Sequence, residues 1–300
     1  GDIEAKDYDF FHIGAFQQSP DHKYVAYAVD VQGEEYFEIK IRNIETGEDL
    51  PGVVSCAKEE FVWDGASNRI FYVEYDENHM QKKVKSHDIN EADTSKDIAL
   101  YHEDDDGMYM DVGKTQSGEY ITITSYDSEM NEMRVFGSCE DDPDPILVRA
   151  REDGVKYDIH HNGENFYIRT NVDGATEFKV MTAPVENPTF ENWTEFLAAR
   201  NTVTIEDIVT YKDFMVRIER ENALPKIVMS DYNGRDIPLN FTDPAYVATV
   251  RRGHEFDTRV FRLHYETMVN PGIEYQVDAE TGERHVLKTK TLPNGHDPSE

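Results

Sequence analysis

Gly14-Ala-Phe-Gln-Gln-Ser-Pro-Asp21, then Tyr24-Val-Ala-Tyr-Ala-Val-Asp30, then Tyr36-Phe-Glu-Ile-Lys-Ile-Arg-Asn-Ile44 and the closing Glu45-Thr-Gly-Glu48 make one unit of a repeat. The unit holds a short strand, a polar turn, a strand of period two, a further strand and a second turn. Similar units return about every 45 residues, a period that points to stacked supersecondary units rather than to one continuous core.

Working outward, alternating β-branched and aromatic residues recur at Arg69–Tyr75, Glu119–Tyr126, Asn165–Thr170, Asp213–Glu219 and Arg259–Tyr265. Such alternation reads as half-buried strand. Each run follows a turn: Asp64–Asn68, Gln116–Gly118, His161–Gly163, Tyr211–Lys212 and Phe256–Asp257. Gly, Asn, Asp and Ser supply the positive φ values and local side-chain bonds that most of these turns need. The strand before each turn is also recognisable, at Gly14–Phe16, Glu60–Trp63, Tyr109–Val112, Lys156–Ile159, Thr204–Ile208 and Ala245–Thr249. Six starts, spaced by roughly 40 to 50 residues, predict an all-β chain: a β-propeller of six four-stranded blades, with units beginning near residues 10, 59, 108, 155, 203 and 245. The one stretch with helical character, Asn187–Trp193 running on to about Arg200, is predicted as a short helical turn or loop between blades.

Composition narrows the function. Sixty-one acids against 30 bases give a net charge of −31, which argues against a nucleic-acid partner, since phosphate binding needs a basic surface. The acids are spread along the whole chain and read first as a solvated shell, with attraction of cationic peptides as the sharper reading. No apolar run approaches the roughly 18 residues of a membrane helix, so no membrane partner is expected. Gly1–Tyr8 has neither a basic nor an apolar region of a signal peptide. Cys56 and Cys139 stand alone, without metal-ligand spacing, and are expected as free thiols in a reducing, cytoplasmic setting.

Catalytic motifs are missing. Gly-x-Ser-x-Gly, which holds a hydrolase serine on a strained strand-to-helix turn, does not occur; Ser67 and Ser117 read as turn residues. There is no HExxH and no P-loop. His160 and His161 are adjacent on a predicted strand, so they point to opposite faces and are not expected to share a metal. Glu103–Asp106 and Glu140–Asp144 read as loop charge runs, because neither has the ligand alternation and central glycine of an EF-hand loop. The aromatic strand residues read as packing between blades rather than as a ligand cage. Arg251, Arg252 and Arg259 form the densest basic group and read as solvated surface residues, with pairing to acids across a domain hinge as the other possibility. No catalytic, cofactor-binding or metal-ligating residue is nominated.

Several segments together resemble the propeller domain of the oligopeptidase B group, within the prolyl oligopeptidase family of serine peptidases. Phe10–Asp30, with its Ser19-Pro-Asp21 turn, is similar to that family's second blade, and Phe61-Val-Trp63 followed by Arg69-Ile-Phe-Tyr72 is similar to the third. Asp243-Pro-Ala-Tyr-Val247, Tyr265-Glu-Thr-Met-Val-Asn-Pro-Gly272 and Asp278–Lys288 resemble the last blade, and Pro293–Asp297 resembles the hinge into a peptidase domain. The resemblance covers essentially the whole chain. It implies seven blades, of which the first would precede Gly1, a propeller over residues 1–292, and a linker over 293–300 toward an α/β-hydrolase domain. It further implies that the full-length enzyme cleaves short peptides after Lys or Arg, with its Ser, Asp and His in that hydrolase domain. The propeller would then cap the active site and admit short basic peptides; this chain alone would not be an enzyme. Exposed blade edges would also permit self-association. A free-standing propeller serving as a protein-interaction module is the alternative.

Overall fold

The computed structural model describes residues 4–291 and Gly295. Apart from Gly295, the hinge expected at Pro293–Asp297 lies outside the described residues. The described chain is built almost wholly of antiparallel strands, with four short 3-10 turns. None of its helices is long and apolar enough to cross a membrane. The strands fall into two compact units, Gly1–Val155 and Lys156–Glu300.

The first unit opens with a seven-stranded sheet: β1 (His12–Gln18), β2 (Tyr24–Asp30), β3 (Phe37–Asn43), β4 (Val54–Trp63), β5 (Arg69–Tyr75), β6 (Gln81–Asp88) and β7 (Ile98–His102). The odd number arises because β4 serves two repeats. Its start pairs with β3, through Phe37↔Ala57 and Ile39↔Val54. Its end pairs with β5, from Phe61↔Tyr72 to Trp63↔Ile70, after a register shift between Ala57 and Phe61. Cys56 takes a left-handed φ of 56° just before the shift, so the chain bends there as it leaves one repeat for the next. A four-stranded sheet completes the unit: β8 (Tyr109–Lys114), β9 (Tyr120–Tyr126), β10 (Asn131–Gly137) and β11 (Ile146–Arg149).

The second unit holds three four-stranded sheets. They are β12 (Tyr157–Asn162), β13 (Asn165–Thr170), β14 (Lys179–Pro184) and β15 (Thr194–Leu197); β16 (Val203–Thr210), β17 (Met215–Glu221), β18 (Leu224–Ser230) and β19 (Asp236–Pro238); and β20 (Tyr246–Arg251), β21 (Val260–Thr267), β22 (Ile273–Asp278) and β23 (Arg284–Thr289). The stretch expected to be helical or irregular to about Arg200 is helical only at Phe190–Asn192, and Thr194–Leu197 is strand. Trp193 sets that change. It is buried against Tyr157, its indole N–H donates to Pro188 O at 3.1 Å, and the chain after it pairs with β14.

Period-two alternation places the core on both faces of the inner sheets. Along β5, Ile70 and Tyr72 pack into a cluster with Ala26, Ile39, Phe61 and Trp63, whereas Phe71 and Val73 face a second cluster with Met110, Ile121 and Phe136. The second unit repeats the device. Ile208 and Met215 join Tyr167 and Val180 on one side, and Val209 and Val216 join Phe261 and Leu263 on the other. The aromatic strand residues are thus chiefly packing between sheets, and no sheet could bury its apolar faces alone.

In the first unit the turn after each first strand follows one plan. Ser19, Asp64 and Thr115 each donate their backbone N–H to a carbonyl five residues on. A left-handed residue sits inside each turn: His22, Ser67 and Gly118.

Candidate functional site: the first strands of the repeats

Apart from β4, whose start also pairs with β3, the first strand of each repeat pairs with only one neighbour in its sheet, which leaves a row of backbone groups needing partners. Side chains from the adjoining repeat cover that edge. In the first unit, Gln17 Nε2 donates to Phe61 O at 2.7 Å and Trp63 Nε1 donates back to Gln17 O at 3.1 Å. Lys58 on β4 donates to Met110 O at 3.3 Å and to the Asp111 carboxylate on β8; Lys114 donates to Trp63 O at 3.1 Å. In the second unit, Thr210 Oγ1 donates to His161 O at 3.1 Å, and Arg169 donates to Ile205 O at 3.2 Å.

Ile205 precedes an irregularity of β16: the pairing with β17 slips between Ile205 and Asp207. Such bulges re-aim side chains. Here Asp207 comes within 3.9 Å of His160 Nε2 on β12. His160, almost fully buried, shares a 2.7 Å hydrogen bond with Asp158 Oδ2. The other oxygen of Asp158 pairs with Arg169 at 2.6 Å, and the Arg169 guanidinium lies over the Phe178 ring at 4.3 Å. Arg252 closes the far end on Asp207 at 3.1 Å. Burial opposes ionisation of Asp158, but the His160 hydrogen bond and the Arg169 charge outweigh it and hold the carboxyl below its ordinary value.

Asp158, His160 and Asp207 each offer one ligand atom, all within 4.8 Å of one another. That donor set could suit a divalent cation. The surroundings oppose one: Arg169 and Arg252 each already answer a carboxylate, and the imidazole already bridges toward both acids. The arrangement is a satisfied ion-pair chain that ties the first strands of two repeats together. His161 turns the other way, to Gly163 O at 2.7 Å, so the two histidines do not converge. Sequence reasoning missed Asp207 as a partner because it lies a full repeat further along the chain.

Ser67 has a left-handed φ of 64° and its Oγ accepts the Asp21 N–H at 3.0 Å, while Ser117 Oγ shares a 2.9 Å bond with Thr115 Oγ1. Both stand in turns. Cys56 and Cys139 are exposed free thiols. Arg251 pairs with Glu274 at 3.2 Å and Arg252 with Asp207, so these two are ion-paired at the surface rather than simply solvated. Glu140 Oε1 accepts the Gly137 N–H at 2.9 Å and stays on the surface.

Glu103 corrects the reading of its charge run. It is 1% exposed and binds Arg151 through both oxygens at 2.9 and 3.0 Å. It also accepts from Ser125, from Tyr101 at 2.9 Å and from the Asp105 N–H at 3.0 Å. Burial works against its charge, but these donors together bring its carboxyl down to about 2. Asp105 and Asp106 remain exposed and bond outward, to Gly107 N and Lys82. Only the first acid of the run is drawn into the fold.

Residues 2–290 match the family described as prolyl oligopeptidase, N-terminal beta-propeller domain. Dipeptidyl aminopeptidase BI of Pseudoxanthomonas mexicana is 33% identical over 97% of this chain and 40% of its own length. Among solved structures, oligopeptidase B from Trypanosoma brucei superposes with a TM-score of 0.90 at 26% identity, and oligopeptidase B from Leishmania major with 0.91 at 23%. Each superposition covers 99% of this chain and 43% of the other. The chain therefore spans about two-fifths of the length of these relatives. With its sheets and its match along nearly every residue, the chain belongs to the prolyl oligopeptidase family, as an N-terminal β-propeller domain of that family.

Proposed function

We propose that this chain is the non-catalytic, substrate-gating propeller of an oligopeptidase B-like serine peptidase, whose full-length form cleaves short peptides after Lys or Arg. The observation that carries the proposal is the match over residues 2–290 to a domain that makes up two-fifths of peptidase relatives. The catalytic Ser, Asp and His would belong to the partner α/β-hydrolase domain, and the propeller would act by limiting entry and excluding water on closure. The free thiols of Cys56 and Cys139 support a reducing, cytoplasmic setting.

The test uses the full-length protein and this chain side by side. A blocked arginyl-aminomethylcoumarin peptide should be turned over by the full-length enzyme and not by the chain alone, and a folded protein substrate should be spared. Turnover by the purified chain, or equal attack on folded protein and peptide, overturns the proposal.

A second reading is favoured by the 33% identity to a dipeptidyl aminopeptidase. On that reading the full-length enzyme requires a free amino terminus two residues before the cleaved bond. Comparing Gly-Arg-aminomethylcoumarin with its N-blocked form decides between the two: turnover of the blocked substrate supports the endopeptidase, and turnover of the free one alone supports the dipeptidyl enzyme.

A further inference from the structure

The first unit contains an open cavity of about 450 Å3 where the ends of β1, β2 and β3 meet the middle of β4 and the end of β5. Phe10, Phe37 and Tyr75 give it aromatic walls, and Glu35, Glu59 and Lys58 are among its polar lining. Tyr36 and His79 extend the aromatic side, with ring centroids 4.6 to 5.7 Å from Tyr75 or 4.3 Å from each other.

The charges in this cavity do not cancel. Lys58 commits its ammonium to Asp111, Glu60 and Met110 O rather than to Glu59. Asp30, also in the lining and 3% exposed, accepts the backbone N–H groups of Gln32, Gly33 and Glu35 at 2.8 to 2.9 Å. Its carboxylate is saturated, and what it does is fix the turn that presents Glu35, which has a left-handed φ of 60°. Glu59 differs. It is half-buried, and among the described residues no donor reaches its carboxylate. Its side chain lies over Gly14: a Cβ there would come 2.7 Å from Glu59 Cβ and 3.0 Å from Glu59 Oε2. The absence of a side chain at Gly14 is therefore what lets Glu59 and the Phe37 ring, whose Cε1 would be equally close, lie where they do.

We propose that this cavity binds the cationic head of a basic peptide side chain, with Glu59 as the ion-pair partner and the aromatic walls receiving the cation's face and its aliphatic stem. An arginine guanidinium fits best, because it is planar, more weakly hydrated than an ammonium, and suited both to a carboxylate and to aromatic faces. The source of that side chain, a short basic peptide, rests on the function proposed above.

The experiment measures binding to this chain alone, by NMR or calorimetry, so it does not depend on the peptidase activity. The probes are N-acetyl-arginine-N-methylamide and its citrulline counterpart, which has nearly the same shape without the charge. Arginine should bind at least about tenfold tighter than citrulline, and Glu59→Gln should weaken arginine by about tenfold, as loss of a charged hydrogen-bond partner does. Gly14→Ala, which crowds both Glu59 and the Phe37 wall and leaves the charge, should weaken arginine too. Glu129→Gln removes the same charge from an exposed turn and should leave binding unchanged. Equal binding of arginine and citrulline, or equal losses in Glu59→Gln and Glu129→Gln, overturns the site. Either result leaves the peptidase assays of the full-length enzyme standing, and failure of those assays leaves a specific arginine site standing.

Discussion

Glu103 and Glu59 are two glutamates of the first unit with opposite surroundings. Glu103 is sealed, with donors on both oxygens from Arg151, Tyr101, Ser125 and the Asp105 backbone. Glu59 is half-buried on the lining of a cavity, with aromatic neighbours and no donor among the described residues. In a chain of 61 acids the difference separates two uses of the same side chain. A carboxylate whose lone pairs are all answered holds the fold together. A carboxylate placed at some cost in hydration and left unanswered is available to something else.

Glu103→Gln should give the largest effect. The amide keeps the shape but leaves Arg151 without its bidentate counter-charge, and removing one partner of a buried pair costs about 3 to 5 kcal/mol. The lower end applies, because the Arg151 side chain is 26% exposed and Glu132 stays within 4.0 Å. Urea unfolding should therefore show a loss near 3 kcal/mol. The pH dependence follows from the same group. Its folded pKa of about 2 lies below its ordinary 4.5, so its contribution is complete above about 4.5 and fades as the pH falls toward 2. The variant should lose part of the acid limb of the stability profile. An unchanged midpoint and an unchanged acid limb would place Glu103 among the ordinary surface acids.

Asp158→Asn tests the second unit at an intermediate level. It removes the charge between Arg169 and His160 but keeps a polar group in place. Hydrogen bonds to charged groups are worth about 1.5 to 3 kcal/mol, and the one-third exposure of Asp158 reduces this to an expected loss of about 1 to 2 kcal/mol. Because the Asp158 carboxyl is held below its ordinary value, that stabilisation is present at neutral pH and declines on acidification through the folded pKa. A variant as stable as the parent at pH 7 would show that the Asp158–His160–Asp207–Arg252 chain is incidental to the joining of the two sheets.

How much of this was legible in the sequence depends on range. The turns were, because their chemistry is local: Gly118 and Gly163 announce their left-handed positions, and Ser19-Pro-Asp21 announces its turn. The strands were, because burial on both faces leaves a residue pattern that Ile70-Phe-Tyr-Val73 displays directly. The fate of each acid was not. Glu103 looks like Asp104, Asp105 and Asp106 until Arg151, just past β11, and Ser125 on β9 are brought to it. Asp207 meets His160 only through the stacking of one repeat on the next and a bulge that the residues around Glu206 do not advertise. Gly14 reads as an ordinary strand glycine, and its connection to Glu59 appears only when β1 and β4 are side by side.

Glu59→Gln should have the smallest effect on stability and, for that reason, gives the sharpest contrast with Glu103→Gln. No donor loses a partner, the side-chain volume is nearly conserved, and the packing over Gly14 is kept, so the unfolding midpoint should stay within about 0.5 kcal/mol of the parent. Removing a negative charge from a strongly acidic surface could even add slightly to stability through reduced self-repulsion. A loss above about 1 kcal/mol, the size of one net hydrogen bond, would mean that Glu59 has a structural partner after all and belongs with Glu103. A neutral change in stability together with weaker arginine binding separates the two residues cleanly, since a carboxylate that contributes nothing to folding has no structural reason for its half-buried position on an aromatic cavity.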